Sequence, residues 1–589
     1  MSWKRPTRVG GVTGVLALCL AVSACAGGAS GGSSAAKQLQ GTPDTANTAA
    51  VTKGGTLTYV LEKNVVNWNP LSPIGSTVED QDAVEAVMPS VYVPQPDMQT
   101  LKLNTDLVSS ATQTKISPQT VVYKINPKAV WSDGKPITAD DFSYAWKAQN
   151  GKDCPQCQVA STLGYDQIKS VTGADGGKTV TVVFSKPFGA WQTLFQYLMP
   201  AHVAATYGSL STESGIAASF NDGFAKHAPT WSGGPFQIQQ VQNNQAIVEV
   251  PNKNFYGTAP NLDKVIFRII TDASQEVTAF QNGEVNAMYP QPEVDLLKQV
   301  QQMQGVNYQM GLSFFWEHFE YNLNNPFLAQ NPAGNAIRQA MFTAVDVPGI
   351  ISKTAGQVDP KVAPLKNLFF MPQQKGYQDN TTSYDYGAGD IAKAKSILTA
   401  AGYTGVGTKL VAPNGKPVPA FRLRYTTGNQ LRQTESMLFA QYVKPLGITV
   451  NVEPTDDLGA TQVHQDAQHD YDIIVFAWVG SPFPAAINAP IYTSCKKGVT
   501  YCGDNVANYR NPKVDGLLRD AISNLDPSKV TTDLNEANQQ ISADAVSLPL
   551  YQRPTFLATS TKYANIRDNP TYNGPVYNIG QWGLRAGSK

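Results

Sequence analysis

Charge is scarce in this chain. Only 15% of its 589 residues are Asp, Glu, Lys or Arg, and 45 basic residues balance 45 acidic ones, so the formal net charge is zero. Nucleic-acid binding rests on a basic footprint, and that class of partner is excluded. Long apolar runs are absent past residue 25, where nothing approaches the roughly 18 consecutive apolar residues of a membrane-spanning helix. Histidine is nearly absent as well. The five, His202, His227, His318, His464 and His469, include no HExxH, and the last two stand five apart, the wrong spacing for two ligands on one helical face. Neither a metal nor a cofactor is expected.

Cysteines number six. Cys19 and Cys25 fall in the first 25 residues; the others form two local pairs, Cys154 with Cys157 and Cys495 with Cys502. Two short disulfides in an oxidising compartment are the simplest reading, each contributing about 2 to 2.5 kcal/mol on chain-entropy grounds. A redox centre would place its CxxC between a strand and a helix, yet Asn150-Gly151-Lys152-Asp153 reads as loop. A four-thiolate zinc site would need both pairs to meet in space.

What the chain does have starts at its N-terminus. Lys4, Arg5 and Arg8 precede an apolar run from Val9 to Val22, too short to span a bilayer comfortably, and Ser23-Ala24 lead onto Cys25. A basic start, apolar middle and small-residue end are the pattern of an export signal over residues 1–24. Val22-Ser23-Ala24-Cys25 also resembles a lipobox, which implies cleavage before Cys25 and diacylglycerol and palmitate-type acylation there. The mature chain is then expected at the outer face of the cell membrane, with 42 basic residues against 45 acidic ones.

Residues 25–53 are Gly, Ser, Ala and Thr with almost no large apolar side chain, and are expected to form a flexible tether. About 28 such residues reach a root-mean-square distance of about 30 Å. Within it, Gly28-Ala29-Ser30-Gly31-Gly32 meets the hydrolase G-x-S-x-G pattern but has no strand before it and no helix after, so an extracellular hydrolase lacks its context and no enzyme is expected.

Periodicity predicts an α/β protein. Leu57, Tyr59 and Leu61 alternate as in a strand; Thr138-Ala139-Asp140-Asp141 opens a helix with an acidic capping box, and Phe142, Ala145 and Trp146 share its apolar face. Trp131 reads as structural. Two strand-helix-strand units are predicted, one over 264–289 and one over 421–452, with an amphipathic helix through Ile337, Ala340, Met341, Ala344 and Val345 between them. With 589 residues, more than one core is required.

Read in order, Trp131-Ser132-Asp133-Gly134-Lys135-Pro136-Ile137-Thr138-Ala139-Asp140-Asp141-Phe142, Gly234-Pro235-Phe236, Asn252-Lys253-Asn254-Phe255-Tyr256-Gly257, Gln281-Asn282-Gly283-Glu284-Val285, Ile337-Arg338-Gln339-Ala340 and Leu446-Gly447-Ile448 resemble the family 5 extracellular solute-binding proteins, the peptide, dipeptide and nickel receptors of ABC importers. The resemblance implies a bilobed periplasmic-binding-protein-like clamp with mixed sheets: lobe I from residues 54–88, 225–312 and 552–586, an inserted subdomain at 89–224, and lobe II at 313–551. It implies a monomer that encloses a peptide or other small solute and passes it to ABC permease subunits.

In peptide-binding members an aspartate three residues after a cleft tryptophan grips the peptide ammonium. Here Trp478-Val479-Gly480-Ser481 keeps the tryptophan and puts Ser481 at the acid position. A buried ammonium needs a charged partner, which a hydroxyl is not. Either Glu62, at the end of the first strand, takes that role or the ligand is uncharged at that end: a blocked peptide, a sugar or a glycolipid head group. Further ligand-site candidates are Trp316 and His318 on one strand face, Tyr425, Thr427 and Asn429 where a strand enters a helix, and Tyr144. Trp478 and the pair Trp316 and His318 also fit a core or polar-seam reading. A non-transport envelope sensor with the same fold is the alternative role.

Overall fold

Thr56–Leu61 shows how the protein is layered. Leu57, Tyr59 and Leu61 enter one apolar core while Val60 enters another on the opposite face. A strand buried on both sides belongs inside a sheet with cover above and below. The computed structural model describes residues 35–43, 45–456, 458, 461–462, 471–494 and 504–588. The proposed signal, Cys25, and the pair Cys495 and Cys502 lie outside the described residues.

Among the described residues the central sheet has eleven strands. Its order runs Phe236–Gln242, Ala246–Pro251, Lys264–Ile269, Thr56–Leu61, Ala287–Met288, Ser547–Ser560, Val306–Tyr321, Ile473–Val479, Phe421–Thr426 and Val450–Thr455, with Lys37–Gln38 paired off this path to the strand Val306–Tyr321. The strand-helix-strand units predicted from periodicity are here, with helices Ala273–Gln281 and Gln430–Val443 between their strands. The predicted amphipathic helix is Pro332–Ala344, capped by Asn331.

Two strands tie the molecule together. Val306–Tyr321 and Ser547–Ser560 pair antiparallel along most of their length. At about 3.3 Å per residue the first spans about 50 Å, far enough to leave one core and enter another. Val306 and Tyr308 pack with the core beneath the first unit, whereas Phe314, Trp316, Phe319 and Tyr321 pack in a core built from residues 312–551. Between Leu312 and Trp316 the register slips. The slip is bridged by other bonds: Ser313 Oγ donates to Arg553 O at 3.0 Å, Phe314 N to Pro570 O at 2.9 Å, and Gly480 N to Phe314 O at 2.9 Å.

The first core draws on residues 57–269 and 557–582, and the segment 89–224 shares it rather than enclosing one of its own. That segment carries a four-stranded sheet and the helix Ala139–Gln149, whose capping box closes with Thr138 N donating to Asp141 at 2.8 Å. Trp131 is fully buried beneath it, edge-on to Trp231, and Cys154 and Cys157 form a disulfide on the same segment.

The expected tether differs from the structure over residues 35–43 and 45–53, which are bound to the body. Lys37–Gln38 runs parallel to Asn307–Tyr308, Val51–Thr52 pairs with Leu584–Arg585, and Asn47 Nδ2 donates to Ile566 O at 3.0 Å. Low apolar content does not prevent docking when backbone groups and a few polar side chains, Asn47 and Asn565 among them, supply the bonds.

Candidate functional site

A cavity of about 360 Å³ lies where the two cores approach each other, with a wall from three parts of the chain. Pro70, Leu71 and Gln81 come from the first-core side, Tyr165, Phe188 and Gln196 from the inserted segment, and Phe315, Val479 and Ser481 from the second-core side. This is within the size range of small-ligand clefts. Three hydrogen bonds cross between the two sides. Gly189 N donates to Ile522 O at 3.1 Å, Gln374 Nε2 donates to Met98 O at 3.3 Å, and Asn429 Nδ2 donates to Gln291 Oε1 at 3.4 Å.

Ser481 stands in this wall, 3% exposed, with its Oγ accepting from Phe483 N at 3.0 Å and its carbonyl from Gln374 Nε2 at 2.9 Å. Trp478 does not line it. Side chains alternate along Ile473–Val479, so Val479 turns to the cavity while Trp478 turns with Phe476 to the other face. There its ring stacks on His318 with centroids 6.2 Å apart, meets Phe476 edge-on, and donates from Nε1 to Glu320 at 3.4 Å.

Trp316 and His318, for which a ligand face and a polar seam were both open, are fully buried, with His318 Nε2 3.0 Å from Glu320. They belong to an interior polar seam, and Phe315 faces the cavity instead. Tyr144 does not reach this cavity and lines a separate one on the inserted segment, with Lys135, Asp140 and His202. It is 3% exposed, its hydroxyl 2.8 Å from Ser219 Oγ and its ring edge-on to Phe224, because the helical turns from Glu213 to Lys226 cover that side of its helix. Burial pushes its hydroxyl well up from the usual phenol range.

Tyr425 is buried and Thr427 exposed, and neither lines the cavity. Asn429 caps the helix Gln430–Val443, accepting from Arg432 N at 2.9 Å, while its amide donates to Gln291. Gln291 N donates in turn to Glu62 at 3.3 Å. Glu62 is half-buried; burial first, and then the Glu79 carboxylate, push its acid up to about 7. It does not line the cavity wall.

Beside the register slip lies a charge cluster that sequence reasoning missed. Glu317, with a side chain 1% exposed, receives both Arg432 Nε at 3.1 Å and Arg432 Nη2 at 3.2 Å, and Arg553 Nε lies 3.6 Å away. Burial would raise the Glu317 acid, but the two guanidiniums overcome it and hold it below the usual carboxylate range. Arg553 also covers the ring of Phe315, 5.7 Å from its centroid. Tyr551 donates to Glu435, whose acid burial and Glu317 push far up. Tyr165, Tyr197, Gln196 and Tyr572 were missed as well, since they stand in loops where no periodicity marks a face.

Among the described residues no group of three His, Cys, Asp or Glu is placed to hold a metal, and no helix is long and apolar enough to cross a membrane.

Known proteins resemble the chain along most of its length. The oligopeptide-binding protein OppA of Mycobacterium tuberculosis is 28% identical over 523 residues, 88% of this chain and 83% of that protein. The oligopeptide-binding protein AppA of Bacillus subtilis is 24% identical over 588 residues, 99% of each. Among solved structures, the periplasmic EDTA-binding protein EppA superposes with a TM-score of 0.85 at 36% identity, covering 92% of this chain and 98% of that one. AppA of Bacillus subtilis bound to a nonapeptide gives 0.74 at 21% identity, covering 91% and 100%. The probable monoacyl phosphatidylinositol tetramannoside-binding protein LpqW of Mycobacterium tuberculosis matches over a shorter span, 30% identical over 220 residues, 36% of this chain and 32% of that protein. The profile described as bacterial extracellular solute-binding proteins, family 5 Middle, matches residues 102–499. With the two cores, the crossing strands and the cavity between them, this places the chain in family 5 of the bacterial extracellular solute-binding proteins, with their bilobed α/β fold.

Proposed function

We propose that the chain is a monomeric receptor, held at the outer face of the cell membrane by a lipid on Cys25, that encloses a peptide-class solute and presents it to the permease subunits of an ABC importer. The observation that carries this reading is the cavity walled jointly by residues near 70–81, 149–197 and 479–487. A ligand that touches all three stabilises the closed arrangement over any open one by the contacts it gains, so binding shifts the population toward closure. Reversible capture for hand-over suits micromolar affinity, about −8 kcal/mol. The OppA and AppA relatives are named for oligopeptides, which favours a peptide, and relatives named as binding proteins favour capture over catalysis.

A second reading, a neutral sugar or glycolipid head group sensed without transport, draws on the uncharged cavity wall and on the mannoside named for LpqW. Melting the protein with a pool of short peptides and, separately, with mannosylated phosphatidylinositol decides between them. A ligand at 100 times its dissociation constant adds about 2.7 kcal/mol. A shift with the glycolipid alone replaces the peptide reading by the second one.

A further inference from the structure

The wall of the cavity of about 360 Å³ carries no charge, in contrast to the neighbouring cavity of about 650 Å³ that meets it at Leu163 and is lined by Lys152, Asp166, Lys186, Asp515, Arg519 and Asp520. Among the described residues lining the smaller cavity there is no Asp, Glu, Lys, Arg or His; its polar groups are hydroxyls and carboxamides, including Ser76, Gln81, Gln196 and Ser481. Two of the hydroxyls that face it already serve as acceptors: Ser481 Oγ takes the Phe483 N–H at 3.0 Å, and the Tyr572 hydroxyl takes Gln196 Nε2 at 2.9 Å. A hydroxyl has one proton, and where a lone pair is occupied by a neighbour the proton remains to be donated. Both groups thus offer O–H donors, and a donor calls for a carbonyl or ether oxygen.

An ammonium group brings only donors and a full charge. Enclosed beside Ser481 it would lose its water and meet no anion, at a cost of several kcal/mol. A carboxylate would find donors but no cation in the wall. An amide or acyl carbonyl meets both conditions, and the apolar remainder of the wall, Phe188, Phe315 and Ile487, suits the carbon that accompanies it. Ile487 is 45% exposed, an apolar side chain left uncovered at the cavity. A site built this way discriminates strongly, because the wrong ligand leaves its own polar group unpaired.

We infer that this cavity receives an uncharged, carbonyl-bearing end of the ligand, such as an acylated peptide N-terminus, and discriminates against a free α-ammonium. This deepens the receptor reading and rests on it. The test is calorimetric titration of the full chain with matched tetrapeptides in two forms, free at both ends or N-acetylated and C-amidated. The capped forms bind at least tenfold more tightly if the inference holds, and Ser481→Asp, with an unchanged far-ultraviolet spectrum, narrows or reverses that preference. Free forms binding the native protein as tightly as capped ones would overturn the inference and leave the peptide receptor standing. If no pair binds in either form, the peptide reading falls and the inference with it. The native comparison decides even if the variant fails to fold.

Discussion

Gly189 is the sharpest place to ask whether the closed arrangement is the one that binds. Its N–H donates to Ile522 O at 3.1 Å, so the inserted segment touches, backbone to backbone, the end of the helix Pro512–Ser523 on the other side of the cavity. A Cβ added at Gly189 would lie 2.2 Å from Asn524 O and 3.4 Å from Asn524 C. No side-chain rotation relieves a clash between a Cβ and a carbonyl; the two segments must separate. Separation forfeits the hydrogen bond, about 1 kcal/mol, and overpacking costs of this kind run about 1 to 3 kcal/mol. With about 2 kcal/mol placed on the closed state alone, the binding-competent fraction and the affinity both fall about thirtyfold in Gly189→Ala. Titration with a capped peptide that binds the native protein reads the affinity, small-angle scattering reads the shape, and the melting temperature without ligand reports whether either core was harmed. Native affinity together with native scattering would refute the reasoning, and so would weaker binding matched by an equal loss of ligand-free stability.

Arg432→Ala leaves the Glu317 carboxylate, 1% exposed, with only Arg553 nearby; loss of about 3 to 5 kcal/mol in urea unfolding is expected, and a loss under about 1 kcal/mol would mean the pair is dispensable. Glu62 binds its proton in the native state up to about pH 7 and in the unfolded state only to about 4.5, so its contribution is full below pH 4.5 and is lost as pH rises through 7. Glu62→Gln should flatten the fall of melting temperature over that window, and an unchanged slope would remove Glu62 as its source. Cys25→Ala should release the protein from the membrane fraction; continued retention counts against a lipid anchor.

Much of the fold was legible because burial imposes a period. Leu57, Tyr59 and Leu61 alternate since they enter one core, and Ile337, Ala340, Met341 and Ala344 recur at helical spacing since they enter the other. Cys154 and Cys157 were legible for a different reason, since a three-residue separation makes closure local. Residues 35–43 and 45–53 were not, because what fixes them is pairing to partners hundreds of residues away, which leaves no mark on composition.

The cavity wall was harder to read than the cores, and the crossing strand shows why. Parity establishes that Trp316 and His318 share a face opposite Phe315, but it does not say which face looks inward, and the register slip between Leu312 and Trp316 changes the pairing just where the strand leaves one lobe for the other. The same ambiguity governs Trp478 and Val479. Ser481 escaped it because it stands past the strand end, where its position follows from the loop that packs Gly480 against Phe314 rather than from alternation. A cleft between lobes is made of surface that is polar and irregular in each lobe alone. Its residues become a site only when contacts such as those of Gly189 and Gln374 bring the two sides together, so the information that defines it lies in that arrangement and in no single segment.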